Sequence, residues 1–268
     1  MRSQLEELWH SGAKRKVIRQ TLGLTKGQLS GRVRVYNLHR ASGRKVDLWA
    51  SHPSSKNART LFISRVQMGK TLLKPGYHSS KLGGEVAKGR WRGMPIYALT
   101  LEERATCPRD CAIWSSCYGN NMPWAKRAPH GEQFELALWR ELYALNRKHR
   151  KGFVVRLHVL GDFYSPAYVD LWDAALDHFE NLNVFGYTAR QGSTEIGRMI
   201  QAIRSSRWER FSVRTSGAQK GLRTFVIDKV EDCPPGAIVC PAQTNRTKSC
   251  ATCGLCWHSK RPIAFVRH

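Results

Sequence analysis

Acidic residues are scarce in this chain. Its 268 residues hold 20 Asp and Glu against 44 Lys and Arg, a formal net charge of +24. Such a field repels itself on folding and attracts polyanions. It argues for a nucleic-acid partner ahead of acidic membrane surfaces or acidic proteins, the more so because the excess runs along the whole chain. Long apolar runs are missing as well. None approaches the roughly 20 residues that a membrane span needs, and the opening Met-Arg-Ser-Gln-Leu-Glu-Glu has no apolar core of a secretory leader. There is no phosphate-binding P-loop, no zinc-protease motif and no Ser-His-Asp order to assign. Cysteine, by contrast, is plentiful at eight residues. In a cytoplasmic protein, disulfides are rare and metal ligation is the expected use.

The first 42 residues have helical periodicity. Leu5, Leu8 and Trp9 share one face at i, i+3, i+4 spacing. A second helix runs from Lys14 to Leu22, with Val17 and Ile18 expected inward, and Gly23 breaks it. Thr25 is placed to cap a third, on which Leu29, Val33 and Tyr36 recur. Lys26, Gln28, Arg32 and Arg34 then project outward as candidate DNA-binding residues of a helix-turn-helix domain. Leu-Trp-His-Ser-Gly at 8–12, Leu-Gly-Leu-Thr at 22–25 and Val-Arg-Val-Tyr-Asn-Leu at 33–38 resemble the N-terminal domain of GcrA-like cell-cycle regulators. The resemblance implies duplex DNA as partner.

Residues 43–95 read as a basic, loop-rich connector. Leu61-Phe62-Ile63 is a short strand candidate, and Trp91 between Arg90 and Arg92 is a candidate base-stacking residue. From 96 to 232 strands and helices alternate. Strands are expected at Ile96–Leu101, Phe153–Leu160, Leu182–Thr188, Phe211–Thr215 and Thr224–Ile227, and helices at Glu132–Asn146, Pro166–Phe179 and Thr194–Ile203. The fold class is therefore α/β, a partial (βα) barrel or a parallel sheet. Phe153, Val155, Leu157 and Val159 make one apolar strand face, while Arg156 and His158 lie on the other, as do Ser212 and Arg214 opposite Phe211 and Val213. In a partial barrel these arginines line the lumen and suit an anion.

Residues 233–268 are a Cys-rich segment. Cys250-x2-Cys253-x2-Cys256, with Cys240-Pro241 upstream, has the parts of a bacterial ferredoxin ligand set in altered order. Four-cysteine zinc is the alternative. A second set, Cys107-x3-Cys111-x5-Cys117, follows the first strand of the alternating region, where βα folds place active sites. Strand, cysteine loop and long helix in that order resemble the radical S-adenosylmethionine enzymes. In those, three cysteines hold a [4Fe–4S] cluster and leave one iron for S-adenosylmethionine. The gap before Cys117 is longer than that superfamily's. Cys233, before Pro234, is a candidate fourth ligand that would close the site. In the radical reading His158 and Asp162 are the candidate catalytic residues, and Gly161, Arg156, Arg214 and Arg190 the cofactor-binding ones.

Thr106-Cys107-Pro108, Ser116-Cys117-Tyr118-Gly119, the stretch Arg156 to Ser165, Cys240-Pro241-Ala242-Gln243 and Cys250 to Trp257 together resemble the phage "gene product 88" family over roughly residues 60–260. That implies a bacteriophage origin and a cytoplasmic place in an infected or lysogenic host, and no particular reaction. Two functions stand open. One is an iron–sulfur enzyme acting on nucleic acid or a nucleotide. The other is a non-enzymatic DNA-binding protein with structural zinc or Fe–S sites.

Overall fold

The computed structural model describes residues 2–10, 13–35 and 47–267. The chain divides into two compact units, one ending at Asp47 and the other beginning at Leu48.

Among the described residues, the first unit contains three short helices: α1 (Arg2–His10), α2 (Arg15–Leu22) and α3 (Lys26–Val35). Leu5, Ile18, Leu24 and Leu29 form its core, with Leu8, Ala13, Leu22 and Val33 packed against them. Val17 is exposed, contrary to the expectation that it turns inward. Adjacent helical residues point about 100° apart, and only Ile18 reaches the core. Gly23 closes α2 in the left-handed region, φ 62°, which a residue without a Cβ adopts freely. Thr25 and Gln28 form a reciprocal cap: the Gln28 N–H donates to Thr25 Oγ1 at 3.2 Å, and the Thr25 N–H to Gln28 Oε1 at 2.9 Å. The side chain of Arg34, and all of Tyr36, lie outside the described residues.

The second unit is built on an eight-stranded sheet, ordered β1-β2-β3-β4-β5-β6-β8-β7. The strands are β1 (Lys74–Pro75), β2 (Ile96–Ala98), β3 (Phe153–Leu157), β4 (Leu182–Thr188), β5 (Phe211–Ser216), β6 (Arg223–Ile227), β7 (Ile238–Val239) and β8 (Ile263–Val266). All pair in parallel except β1, which lies antiparallel on β2. A short helix α4 (Pro53–Lys56) precedes β1. Helices α5 (Glu132–Lys148), α6 (Pro166–His178) and α7 (Glu195–Arg207) connect β2 to β5. Ser165 caps α6 ahead of Pro166, whose missing N–H costs nothing in the first turn. Residues 61–63 form no strand; Ile63–Arg65 is a 3-10 turn instead.

The period of two sorts the strands into two faces. Phe153, Val155, Leu157, Val184, Phe211 and Val213 bury against Phe134, Leu138, Tyr168, Trp172 and Ile200 of α5, α6 and α7. The other face is covered by the C-terminal segment. Ile96, Ala98, Val154, Phe185 and Ile263 pack on Ala251, Cys256 and Trp257 of the short helices α8 (Cys250–Cys253) and α9 (Leu255–His258). That face is a filled core, so Arg156 and Arg214 do not line an open anion pocket. Arg214, fully buried, donates from Nε to the Cys256 carbonyl at 3.0 Å, from Nη1 to the Arg261 carbonyl at 2.9 Å, and from Nη2 to the Ser259 carbonyl. Arg156 donates to the carbonyls of Leu157 and His158 and stacks 4.5 Å from the Tyr187 ring centroid. Trp91 is buried and stacked on Trp257 with centroids 5.3 Å apart, so it does not offer a ring to a base.

Candidate metal centres

The chain leaves the sheet after β2 on a long excursion and returns at the isolated bridge between Leu101 and Ala128. The excursion carries Cys107, Cys111 and Cys117. Two buried arginines hold its shape. Arg127 grips Glu103 through Nε at 2.6 Å and Nη2 at 3.0 Å. Its remaining donors reach the carbonyls of Gly119 at 3.1 Å, Met122 at 3.2 Å and Ala125 at 2.6 Å. Thr60 adds its hydroxyl to Glu103 at 2.6 Å. Arg104 sits at φ 64°, a strained conformation for a non-glycine residue. Its Nη2 donates to the Trp114 carbonyl at 3.1 Å and to Asn120 Oδ1 at 2.6 Å. Its Nε and Nη1 are buried without a partner.

The three thiols of this loop stand within reach of one another's charge. Burial pushes Cys107 well above the usual thiol range, lifts Cys111, and takes Cys117 to about 11. Backbone N–H groups oppose this, from Arg104 toward Cys107, Ile113 toward Cys111 and Gly119 toward Cys117. The Arg104 guanidinium favours the thiolates of Cys111 and Cys117. Backbone amides donating to sulfur and a guanidinium near enough to favour thiolates suit a group bearing negative charge.

Asp162 stands on the same rim, at the end of β3. Burial raises its carboxyl to about 6, against hydrogen bonds from Thr188, Ala189 and Phe163. The N–H groups of Phe163 and Ala189 donate to its two oxygens at 2.8 and 2.7 Å. Gly161, at φ 84°, has no room for a side chain: a Cβ there would come within 2.6 Å of Leu101 Cβ and Thr106 Oγ1. Its observed role is thus close approach of the β3 turn to the Cys107 loop. Arg190 laces that rim, donating from Nε to the Phe163 carbonyl at 2.8 Å and from Nη2 to the Thr106 carbonyl at 3.0 Å.

His158 does not share the face of Arg156. The ladder ends at Leu157, and beyond it the chain turns His158 to the helix side. There its Nε2 lies 3.1 Å from Tyr168 Oη, and Phe163 meets it edge-on. Burial depresses it to about 3, so it is neutral. Cys233 follows β6, four strands from β2 in the sheet order, with its sulfur 3.8 Å from the Pro234 carbonyl.

The other four cysteines line one recess, with Tyr187, Pro241, Ala242, Gly254, Leu255, Trp257, Ile263 and Phe265. Ser249 caps α8 with a reciprocal Ser249/Thr252 box, and Gly254, at φ 73°, reverses the chain into α9. This places Cys250 and Cys253 on one short helix and Cys256 on the next. Cys240 is brought up from the end of β7, its N–H donating to the Ala264 carbonyl at 2.8 Å. Tyr187 Oη lies 2.7 Å from Cys256 Sγ. Burial lifts Cys240, takes Cys250 to about 11 and Cys256 to about 12. All eight cysteines are free thiols.

Among the described residues, no three His, Cys, Asp or Glu side chains close on the position of a single metal ion. Glu103, Arg104 and Arg127 were not legible as site residues, since a Glu-Glu-Arg run reads as a solvated turn. The one signal was its place directly after a strand. No described helix is long and apolar enough to cross a membrane.

No solved structure matches this chain. It is similar to the "Gene 88 protein" of Mycobacterium phage D29, 26% identical over 137 residues that cover 44% of this chain and 56% of that protein. The chain thus spans about half the length of that curated relative. The family model described as "Gene product 88" matches residues 66–259, from just after the 3-10 turn before β1 to just past α9. On that match, which takes in both cysteine groups, the chain belongs to the Gene product 88 family of bacteriophage proteins.

Proposed function

We propose that this chain is an iron–sulfur protein with two clusters, and that it acts on nucleic acid. Cys240, Cys250, Cys253 and Cys256 would hold a closed, four-thiolate cluster that ties the C-terminal segment into the sheet. Cys107, Cys111 and Cys117 would hold a second with one iron left open, on the C-terminal rim of the parallel strands where βα folds carry their chemistry. The observation that carries the reading is Arg104. A buried guanidinium with two donors lacking an acceptor, within reach of the Cys111 and Cys117 thiols, is costly unless an anionic group completes the site. Four sulfurs around a recess fit a cubane better than zinc, which draws its thiolates to about 2.3 Å of one point.

Bound there with S-adenosylmethionine, a [4Fe–4S] cluster supplies one-electron chemistry of the radical type. This chain's own residues would shape the site. Arg104 neutralises charge, Asp162 and Arg190 hold the rims of β3 and β4 beside Cys107, and Gly161 lets them approach. The N-terminal helices would carry the protein to duplex DNA through Lys26, Arg32 and Arg34, with Gln28 already engaged in the cap of α3.

Anaerobic purification followed by iron, sulfide and zinc analysis tests this directly. Roughly eight irons per chain are expected for two cubanes, with a broad visible absorption band. Reduction in the presence of S-adenosylmethionine should then release 5′-deoxyadenosine. Colourless protein loaded with zinc would replace the reading with that of a non-enzymatic DNA-binding protein.

A further inference from the structure

The excursion that carries Cys107, Cys111 and Cys117 also carries aromatic rings the fold does not bury. Trp124 is 80% exposed and Tyr118, next to Cys117, is 45% exposed. Trp49 is 64% exposed and is fastened to the same loop by its neighbour: the Leu48 N–H donates to the Ser115 carbonyl at 3.0 Å. Large rings at such exposure forgo the burial that stabilises apolar side chains. Each of the two on the loop has a cation beside it. The Arg65 guanidinium lies 5.2 Å from the Trp124 centroid, and Lys81 Nζ lies 5.9 Å from that of Tyr118.

The stretch of chain that carries these rings is strongly basic. Residues 48–130 contain thirteen Lys and Arg (56, 59, 65, 70, 74, 81, 88, 90, 92, 104, 109, 126, 127) and four acids, Glu85, Glu102, Glu103 and Asp110. Glu102 and Glu103 are buried against Arg59 and Arg127; with those two pairs and the buried Arg104 set aside, ten of the thirteen cations stand against two exposed acids, Glu85 and Asp110. Exposed rings interleaved with cations make a stacking platform for bases whose phosphates need neutralising. Only unpaired bases can use it, because in a duplex each base face is already covered by its neighbour.

We infer that the surface around the Cys107–Cys117 loop, with Trp49, Tyr118, Trp124, Arg65 and Lys81, binds single-stranded nucleic acid and presents it to the open cysteine site. Binding stands on the rings and cations alone. The presentation rests on the function proposed above. The N-terminal helices and this platform then have different targets, duplex for the one and an unpaired strand for the other.

The test uses the full chain and a fluorescently labelled 16-nucleotide mixed-sequence DNA strand, read by anisotropy, with its duplex and RNA counterparts alongside. The wild-type protein should bind the single strand. Trp124→Ala and Trp49→Ala should each weaken it roughly 5- to 100-fold, and Trp124→Phe, which keeps a ring face, should retain most of the affinity. Tyr143→Ala, an exposed ring on α5, should change nothing. Unchanged binding in both tryptophan-to-alanine variants would overturn the inference, as would equal loss with Tyr143→Ala. Iron content separates the two readings. Ring-dependent binding by a protein without iron leaves this inference and removes the cluster; iron-loaded protein whose binding ignores the rings does the reverse.

Discussion

Replacing Arg127 with Met should open the cysteine excursion while leaving the sheet folded. Arg127 is fully buried and makes five hydrogen bonds, two to Glu103 and three to the carbonyls of Gly119, Met122 and Ala125. Met fills much of the volume and offers no donor. Glu103 would keep only the Thr60 hydroxyl, and a buried charge stripped of its partner costs about 3–5 kcal/mol. The three carbonyls add to this where water does not reach them. A domain holds only about 5–15 kcal/mol in total, so local opening of residues 104–126 costs less than keeping the pair's remnant buried. Hydrogen exchange should therefore rise across 104–126 and stay slow in β3, β4 and β5; on the proposed two-cluster reading, iron should fall by about half. The double variant Glu103→Met/Arg127→Met removes both charges and should recover part of the lost protection. Unchanged exchange in Arg127→Met, or exchange rising uniformly over the whole sheet, would refute the reasoning.

On the proposed two-cluster reading, Cys250→Ser and Cys253→Ser should each lower iron content and solubility together, since metal binding is linked to folding, whereas Cys233→Ser should leave metal content at the wild-type value. Gly161→Ala should drive the β3 turn from the Cys107 loop, because its Cβ would stand 2.6 Å from two atoms; iron at the first site should fall, and normal iron would show that the loop yields cheaply. Trp257→Ala empties the buried stack between Phe185 and Trp91 and should cost about 3–5 kcal/mol in denaturant unfolding. Lys26→Glu with Arg32→Glu should weaken duplex DNA binding and flatten its salt dependence by about one unit of slope for each phosphate no longer neutralised, with single-strand binding unaffected.

The sequence by itself determined the alternation of strands and helices from 96 to 227 and the caps at Thr25 and Ser165, because period and capping act between residues a few positions apart. It also determined that Cys107, Cys111 and Cys117 lie together and that Cys250, Cys253 and Cys256 do, since spacings of two to five residues cannot disperse their sulfurs; Cys240 joins the second set only through the pairing of β7 with β8. Tertiary structure decided what long side chains do. Arg156 and Arg214 were legible as polar residues on one strand face, but which acceptors they meet depends on the C-terminal helices that return to cover that face. His158 left its expected face because alternation holds only while the ladder lasts, and the ladder ends at Leu157. Trp91 and Trp124 are both Trp beside basic residues in Gly- and Pro-punctuated loops; one is buried on Trp257 and the other stands in solvent, because burial is set by segments more than a hundred residues away, which no local pattern encodes.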